Sequence, residues 1–530
     1  MAPRLVVLGW DSATFDVIDP LLAERRLPAL ATLLERGNRA PLRSGWPPMT
    51  DCAWTSAFTS RNAAGHGIFG SWYRAPGDYR CRYFSSRDRR APALWELAED
   101  VRFLVWNVPM TYPPAPVQGV MVAGYGAPPG SRFCSPDDFQ DKLAQRYPLD
   151  DLLDRAPHSS LENFLDDLLR GMRAQADALV WSATESAADC LIAVWPHVDR
   201  AQHFFWKFRG TNHRLADAVD RVYEAMDAAT GRVLDAFNDA DVFIVSDHGA
   251  GPLRGDINLG AWLQRQGRAR YRRRSRRSSL VGLAWSLPPS IRRLGRRLAP
   301  GAARRAFGAT LAGQLGPFEW RATEAFLGFH GDLWLNLAGR EPEGCVEASR
   351  APSLLEELSE ELMTITDERT GERVIDAVHA RDEIFSGPAI DLAPDLMLDA
   401  WSTGYRVAPG RGPAEQIVGA PAPLAGVDDS WSSDHRPLGV FIAAGSRMAT
   451  RSVPELHLFD VCPTALGLLG APVPERIDGR VATEVLDPIW LGNNPIRTGS
   501  TIAEREIEGG YSDEEAAAVA AHLKDLGYIE

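Results

Sequence analysis

An α/β fold is predicted by three features of the chain. Short apolar runs, each long enough for one buried strand, recur at residues 5–8, 101–106, 120–123, 190–195 and 241–246. Stretches of helical character lie between them, at 16–36 and 136–188. Three of the runs lead into acids or imidazoles, and ligands of open α/β sheets bind beyond the carboxyl ends of the strands.

Composition sets the outer limits. The 530 residues are enough for about two to four domains, and 45% hydrophobic content is ordinary for a globular core. A net charge of −13 argues against general nucleic-acid binding. The cysteines (Cys52, Cys81, Cys134, Cys190, Cys345, Cys462) are scattered without a Cys-x-x-Cys. Such spacing suggests neither a disulfide framework nor a thiolate metal site. The first residues carry too short an apolar run for a signal peptide, and no window of about 18 apolar residues predicts a transmembrane helix. A cytoplasmic enzyme is the expectation.

In chain order, the first run ends in Gly9-Trp10-Asp11, placing Asp11 at a strand's carboxyl end, where a helix N-cap is the plainer role. Residues 16–36 then read as a helix carrying Ile18, Leu21, Leu22, Leu30, Leu33 and Leu34. Residues 47–69 open on Pro47-Pro48, continue with small hydroxyl residues and close on Gly65-His66-Gly67. Thr50, just after the prolines, reads as a nucleophile at a helix N-terminus, where unpaired N–H groups favour a phosphoryl anion. The alternative is an ordinary capped helix with Thr50 or Asp51 as N-cap. After the run at 101–106 comes Asn107, in a Pro-rich loop to Pro114. Gly124-Tyr125-Gly126 runs straight into Pro128-Pro129, so it opens no helix and is discounted as a dinucleotide loop.

The run at 190–195 leads to Asp199 and His203, four apart and therefore on one helix face. They suit either a shared metal ion or an i,i+4 salt link. The run at 241–246 ends in Asp247-His248-Gly249, the third time that an apolar strand leads into oxygen or nitrogen donors. Residues 268–305 contain thirteen arginines and read as a solvated lid or insert, with contact to an anionic substrate or membrane surface as the alternative and nucleic acid as a third option. Residues 326–345 alternate as β structure, and Asp399 ends another strand. A polar loop at 428–437 carries His435 into a strand at 438–443, and a capped helix starts near Tyr511 and ends at Gly527.

The candidate donors are Asp11, Asp199, His203, Asp247, His248 and His435, with Thr50. They are oxygen- and nitrogen-only, which suits zinc and tolerates manganese or iron. They divide into two sites: Asp11, Asp247, His248 and the Thr50 oxygen for one ion, and Asp199, His203 and His435 for the other. Two ions about 4 Å apart clamp a phosphoryl group through an in-line displacement. An activated Thr50 hydroxyl would form a phosphothreonine that water then hydrolyses.

Together these residues resemble the alkaline phosphatase superfamily, within its type I phosphodiesterase/nucleotide pyrophosphatase branch, and look closest to its bacterial predicted phosphohydrolases or phosphomutases. The matching segments are Val7-Leu-Gly-Trp-Asp11, Thr50-Asp-Cys-Ala-Trp-Thr55 through His66-Gly-Ile68, Asp199-Arg-Ala-Gln-His203, Ser246-Asp-His-Gly249 and His435-Arg-Pro-Leu-Gly439. Val108-Pro-Met-Thr-Tyr-Pro-Pro114, Ile257-Asn-Leu-Gly-Ala-Trp-Leu263, Asn336-Leu-Ala-Gly-Arg-Glu-Pro342 and the Leu-Gly-Tyr ending extend the match over nearly the whole chain. The resemblance implies a three-layer sandwich with a central, mainly parallel sheet and a two-metal, usually zinc, site. It carries the nucleophile role onto Thr50 and ligand roles onto the six residues named. It also implies a catalytic core at 1–254 and 346–490, a cap insertion at 255–345 and a helical tail at 491–530.

The chain departs from the nucleotide pyrophosphatase pattern at Thr59-Ser60 in place of Thr-Gly, at Ala63-Ala64-Gly65 in place of Pro-Gly-Lys, and after His-Gly-Ile. Those enzymes have an Asn after His-Gly-Ile that binds a phosphoryl oxygen, whereas this chain has Gly70-Ser71. Ser71 and Asn107 are the candidate substrate-binding residues, Asn107 standing in if its loop reaches the site. The Cys-x-Pro-x-Arg context of sulfatases is missing around Cys52. The expectation is a metal-dependent phosphoric ester hydrolase, phosphodiesterase or nucleotide pyrophosphatase-like, acting on a phosphorylated small molecule or diester. Phosphomonoesterase or phosphomutase/phosphotransferase activity at the same site is the alternative, and a non-catalytic phosphoester binder is the third reading.

Overall fold

The computed structural model describes residues 2–128, 130–153, 160–272, 318–328, 331–408, 416–421, 431–499, 504–505, 507 and 509–526. Among these, the central sheet has nine strands. They are β1 (Leu5–Trp10), β2 (Gly37–Arg43), β3 (Phe103–Trp106), β4 (Gly119–Val122), β5 (Cys134–Ser135), β6 (Cys190–Trp195), β7 (Asp241–Val245), β8 (Leu438–Ala444) and β9 (Leu456–His457). Their order across the sheet is β9-β2-β8-β7-β1-β6-β3-β4-β5. The consecutive strands β7, β1, β6, β3 and β4 are parallel. β8 runs antiparallel to both β7 and β2, and β5 antiparallel to β4. The fold is mixed α/β with a large, mainly parallel sheet, as expected.

The continuous apolar runs arise because both faces of the sheet are covered. On β1, Val6, Leu8 and Trp10 join the core on one face, while Leu5 and Val7 join the core on the other. The first face is covered by α1 (Phe15–Ala23), α2 (Pro28–Glu35), α4 (Leu161–Glu185), α5 (His197–Phe205) and α6 (Ala218–Ala236). The second is covered by α3 (Thr50–Thr59) and α7 (Val461–Leu469). The single helix expected over 16–36 is in fact two, α1 and α2. Arg25 takes a left-handed φ of 61°, and Pro28 starts the second helix at a position that requires no N–H donor.

A second core lies outside these layers. A four-stranded antiparallel sheet, in the order Ala325–Leu327, Asp332–Leu335, Leu396–Asp399, Ala377–Ala380, packs with helix Ala351–Leu362. Its apolar cluster runs from Ile257 to Val418, so residues on both sides of position 345 share one core. The arginine-rich stretch lies outside the described residues from 273 onward. Where the second core meets the first, Phe385, Ala389, Met397 and Trp401 pack on Cys52, Ala63, Ile68 and Phe69, close to α3. No helix among the described residues is long and apolar enough to cross a membrane.

Candidate metal centre and active site

The parallel strands deliver the candidate residues to one edge of the sheet. Asp11 follows β1 directly, Asp247 and His248 follow β7, and Asp199 and His203 lie on α5, which starts right after β6. His435 belongs to a short strand, Ser433–Arg436, that pairs with Gly249–Pro252 and feeds β8. Because β8 is antiparallel to β7, its start lies at the same edge as the end of β7. Chain direction therefore explains why a residue before a strand joins residues that follow strands.

Two groups form there: Asp11, Asp247 and His248, and Asp199, His203 and His435. Within each, one donor atom from every residue lies within 4.8 Å of the others. All six residues are buried. The ring planes of His248 and His435 stack with centroids 3.8 Å apart, so the two groups adjoin.

Each imidazole is held by its Nδ1. His203 Nδ1 lies 2.8 Å from the Ser433 carbonyl, His435 Nδ1 2.8 Å from the Pro48 carbonyl and His248 Nδ1 3.1 Å from the Gly249 carbonyl. A carbonyl only accepts, so each Nδ1 donates, and in the neutral ring each Nε2 keeps a lone pair facing the group. Those lone pairs meet carboxylates: His203 Nε2 is 3.1 Å from Asp199 Oδ1, His248 Nε2 is 3.1 Å from Asp247 Oδ2, and His435 Nε2 is 3.7 Å from Asp199 Oδ1. Asp199 Oδ1, His203 Nε2 and Asp247 Oδ2 are buried without a hydrogen-bond partner. Acceptors facing acceptors are repulsive unless a cation lies between them. Two donors about 2 Å from a tetrahedral ion lie about 3.3 Å apart, so the observed spacings fit that arrangement.

Without a cation, burial and the groups' own charges set their protonation. Burial pushes the Asp247 carboxyl well above the ordinary range, the Ser12 N–H opposes that, and Asp199 adds to it. Burial also works against the Asp199 charge, but the His203 imidazole, then His435 and His248, outweigh it and hold that carboxyl low. His203 is pushed down by burial and up by Asp199, with the upward direction winning. Burial pushes His248 well down, with His435 adding to it, and lowers His435 despite Asp434 and Asp199. A bound divalent cation would favour charged carboxylates and neutral imidazoles throughout.

Thr50 is the first residue of α3, and Met49 occupies the cap position without a side-chain bond. Neither Thr50 nor Asp51 caps the helix. The Thr50 Oγ1 instead lies 3.4 Å from His248 Nε2, at the edge of the first group. Ser71 donates its hydroxyl to Asp51 Oδ2 at 2.6 Å, one residue from Thr50. Asp51 is buried, and desolvation lifts its carboxyl to about 6 against the Ser71 hydrogen bond. Asn107 is buried at the end of β3, where its amide donates to the Val194 carbonyl at 3.1 Å, tying it to the sheet.

Several supporting residues carry no sequence signal of their own. Ser12, in a left-handed turn with φ of 64°, donates its N–H to Asp247 Oδ1 at 3.2 Å. Gln202 donates to the Ser12 carbonyl at 2.9 Å and accepts from the Tyr223 hydroxyl at 3.2 Å. The Trp54 indole donates to Asp11 Oδ2 at 3.1 Å. Trp431 stacks on His203 with centroids 3.7 Å apart. Gln202 and Trp54 are open to inference only as neighbours of Asp199, His203 and Thr50 on the same helices.

Comparison with known proteins gives a match over residues 5–422 to the family model for type I phosphodiesterase/nucleotide pyrophosphatase. No curated protein matches the sequence. Among solved structures, phosphonoacetate hydrolase from Sinorhizobium meliloti 1021 in complex with phosphonoacetate is similar at 18% identity and a TM-score of 0.50, covering 88% of this chain and 96% of that one. Murine ectonucleotide pyrophosphatase/phosphodiesterase 5, an inactive threonine-to-alanine variant in complex with AMP, is similar at 9% identity and a TM-score of 0.50, covering 92% of this chain and 100% of that one. The human counterpart is similar at 10% identity and a TM-score of 0.50, covering 91% of this chain and 100% of that one. At these identities the structural likeness shows the fold.

Proposed function

The chain belongs to the type I phosphodiesterase/nucleotide pyrophosphatase family, and we propose that within it Thr50 takes up the phosphoryl group of a phosphodiester or pyrophosphate substrate. The chain is a metal-dependent hydrolase of phosphoric ester or phosphoanhydride bonds. In our reading, Asp11, Asp247 and His248 hold one divalent ion beside Thr50, and Asp199, His203 and His435 hold a second. Oxygen and neutral imidazole donors suit zinc, with manganese or iron as substitutes. When bound, such ions supply positive charge that eases ionisation of a nearby hydroxyl and offsets the charge developing on phosphoryl oxygens.

The observation that carries this reading is the Thr50 hydroxyl, unused by the helix end and 3.4 Å from His248 Nε2. Thr50 Oγ1 forms a bond to phosphorus as the leaving oxygen departs, and its proton passes to solvent. Water then cleaves the Oγ1–P bond, restoring the hydroxyl and releasing the phosphorylated product. The murine structure named above is of an inactive threonine-to-alanine variant, which supports a threonine in this role. Ser71 stays as the substrate-side candidate because its hydroxyl reaches the carboxylate next to Thr50. Asn107 stays the second substrate-side candidate, its amide anchored by one N–H on the Val194 carbonyl. The unit cored by Ile257 to Val418 is our candidate for the cap, and a cytoplasmic setting fits six free cysteines.

A paired rate assay tests this reading, using aryl phosphate diester and monoester substrates on zinc-loaded protein and on Thr50→Ala. A diester preference that Thr50→Ala abolishes, with zinc content unchanged, is expected. A monoester preference with phosphoryl transfer to added alcohols would replace it by a phosphatase or mutase. Undiminished turnover in Thr50→Ala would remove the nucleophile.

A further inference from the structure

The helix that carries Thr50 also touches Asp11. Trp54 lies one turn after Thr50 on α3, is fully buried, and donates its indole N–H to Asp11 Oδ2 at 3.1 Å. The contact spans 43 positions in sequence, from the nucleophile helix to the end of the central strand β1. A donor fixed on one carboxylate oxygen restricts how the group can turn, the usual role of an outer hydrogen-bond partner to a metal-binding carboxylate.

The backbone makes room for this indole. A Cβ on Gly9 would lie 2.5 Å from Trp54 Cη2 and 2.8 Å from Val194 Cγ2. Only a glycine at that place in β1 lets the ring lie against the strand. The ring also stacks on Phe58, one turn further along α3, with centroids 5.9 Å apart and planes 15° apart, and Phe58 in turn meets Trp95 at 5.7 Å. The indole thus lies against the strand that ends in Asp11 and packs on Phe58 of its own helix. A tryptophan needed only for packing would not require its N–H to end on that particular carboxylate.

We propose that Trp54 is a positioning residue for the metal centre: its N–H orients the Asp11 carboxylate, so one helix sets both the nucleophile and a ligand of the ion beside it. This rests on Asp11 being a metal ligand, as proposed above. The segment before α3 does the same for the second group, since the Pro48 carbonyl holds His435 Nδ1.

Zinc affinity measured by chelator competition tests it, on full-length wild type, Asp11→Asn, Trp54→Phe and the double variant. One zinc equivalent should bind about 10–100-fold more weakly in Trp54→Phe, with the other unchanged. In the Asp11→Asn background Trp54→Phe should add no further loss, because the indole acts through that carboxylate. If Trp54→Phe leaves both affinities unchanged while Asp11→Asn weakens one, the positioning role is overturned and the metal reading stands. If Asp11→Asn has no effect, the ligand assignment itself fails, and the inference with it. Additive losses in the double variant would reduce Trp54 to packing. Should Trp54→Phe not fold, replacing Trp54 by 3-benzothienylalanine removes only the N–H and keeps the ring shape; unchanged zinc affinity there would equally overturn the role.

Discussion

Two of the places where the molecule buries charge treat it in opposite ways. In the second core, Arg74 forks onto Glu341 at 2.6 and 2.9 Å, and Arg340 binds Glu341 at 2.8 Å. Arg340 also forks onto Asp395 at 2.8 and 2.6 Å, and the Arg74 guanidinium lies 4.3 Å from the centre of the Trp334 ring. Both carboxylates of this cluster, Glu341 and Asp395, have their arginines. At the sheet edge, the buried Asp199 and Asp247 face imidazole Nε2 atoms, and several of the facing atoms have no hydrogen-bond partner. Charge buried with protein partners serves the fold; charge buried against other acceptors is arranged for a cation from outside.

The largest expected effect falls on chemistry. Thr50→Ala should lower turnover at least about a thousandfold, because the covalent route is removed, while the ligands on strand ends keep their zinc. Stopped assays and metal analysis on the same sample check both halves. In the second core, Arg74→Met should cost about 3 kcal/mol in urea unfolding, since Glu341 loses a buried partner and keeps only Arg340. Zinc content should not change. The sheet edge should respond with the opposite sign. In metal-free protein at pH 8, Asp247→Asn should stabilise by about 1–2 kcal/mol, because an uncompensated buried charge is removed. If that variant destabilised the metal-free protein as Arg74→Met does, the contrast between the two clusters would collapse.

The smallest effect concerns a buried histidine outside both clusters. His66 sits between the Ser56 hydroxyl and the Ile68 N–H, and burial, with Arg89 and Arg61 nearby, pulls its pKa down to about 3. The unfolded chain binds a proton here below its ordinary pKa of 6.5, whereas the folded chain does not until about pH 3. Stability is therefore lost as pH falls from 6.5 toward 3, by up to about 1.4 kcal/mol per pH unit from this group. His66→Gln should flatten that slope between pH 6.5 and 5 in denaturant titrations. An unchanged slope would mean that His66 is already charged in the fold.

Much of the sheet-edge cluster is legible in the amino-acid sequence, and the reason is geometric. Strands β1, β6 and β7 are covered on both faces, so they read as unbroken apolar runs, and a polar residue where such a run stops is conspicuous. That exposes Asp11, Asp247 and His248 directly, and Asp199 with His203 by their i,i+4 spacing. His435 is fainter, because it precedes an antiparallel strand and only sheet topology brings it to the same edge. The break between α1 and α2 is signalled by Pro28 but masked by leucines on both sides. Trp54 is not legible as a site residue. An aromatic one turn along an apolar helix reads as core, and its bond to Asp11 depends on how α3 lies across β1, which no local pattern encodes. The four-stranded sheet and helix Ala351–Leu362 share one core for the same kind of reason. Their contacts join segments that look separate along the chain.

The most direct test of the central claim is a zinc titration of metal-free, full-length protein, with bound metal counted after removal of excess. Two equivalents per chain are expected for wild type, and one for His435→Ala, because a three-donor site that loses a donor no longer holds its ion. Wild type that binds no zinc, or His435→Ala that still binds two equivalents, would contradict the account.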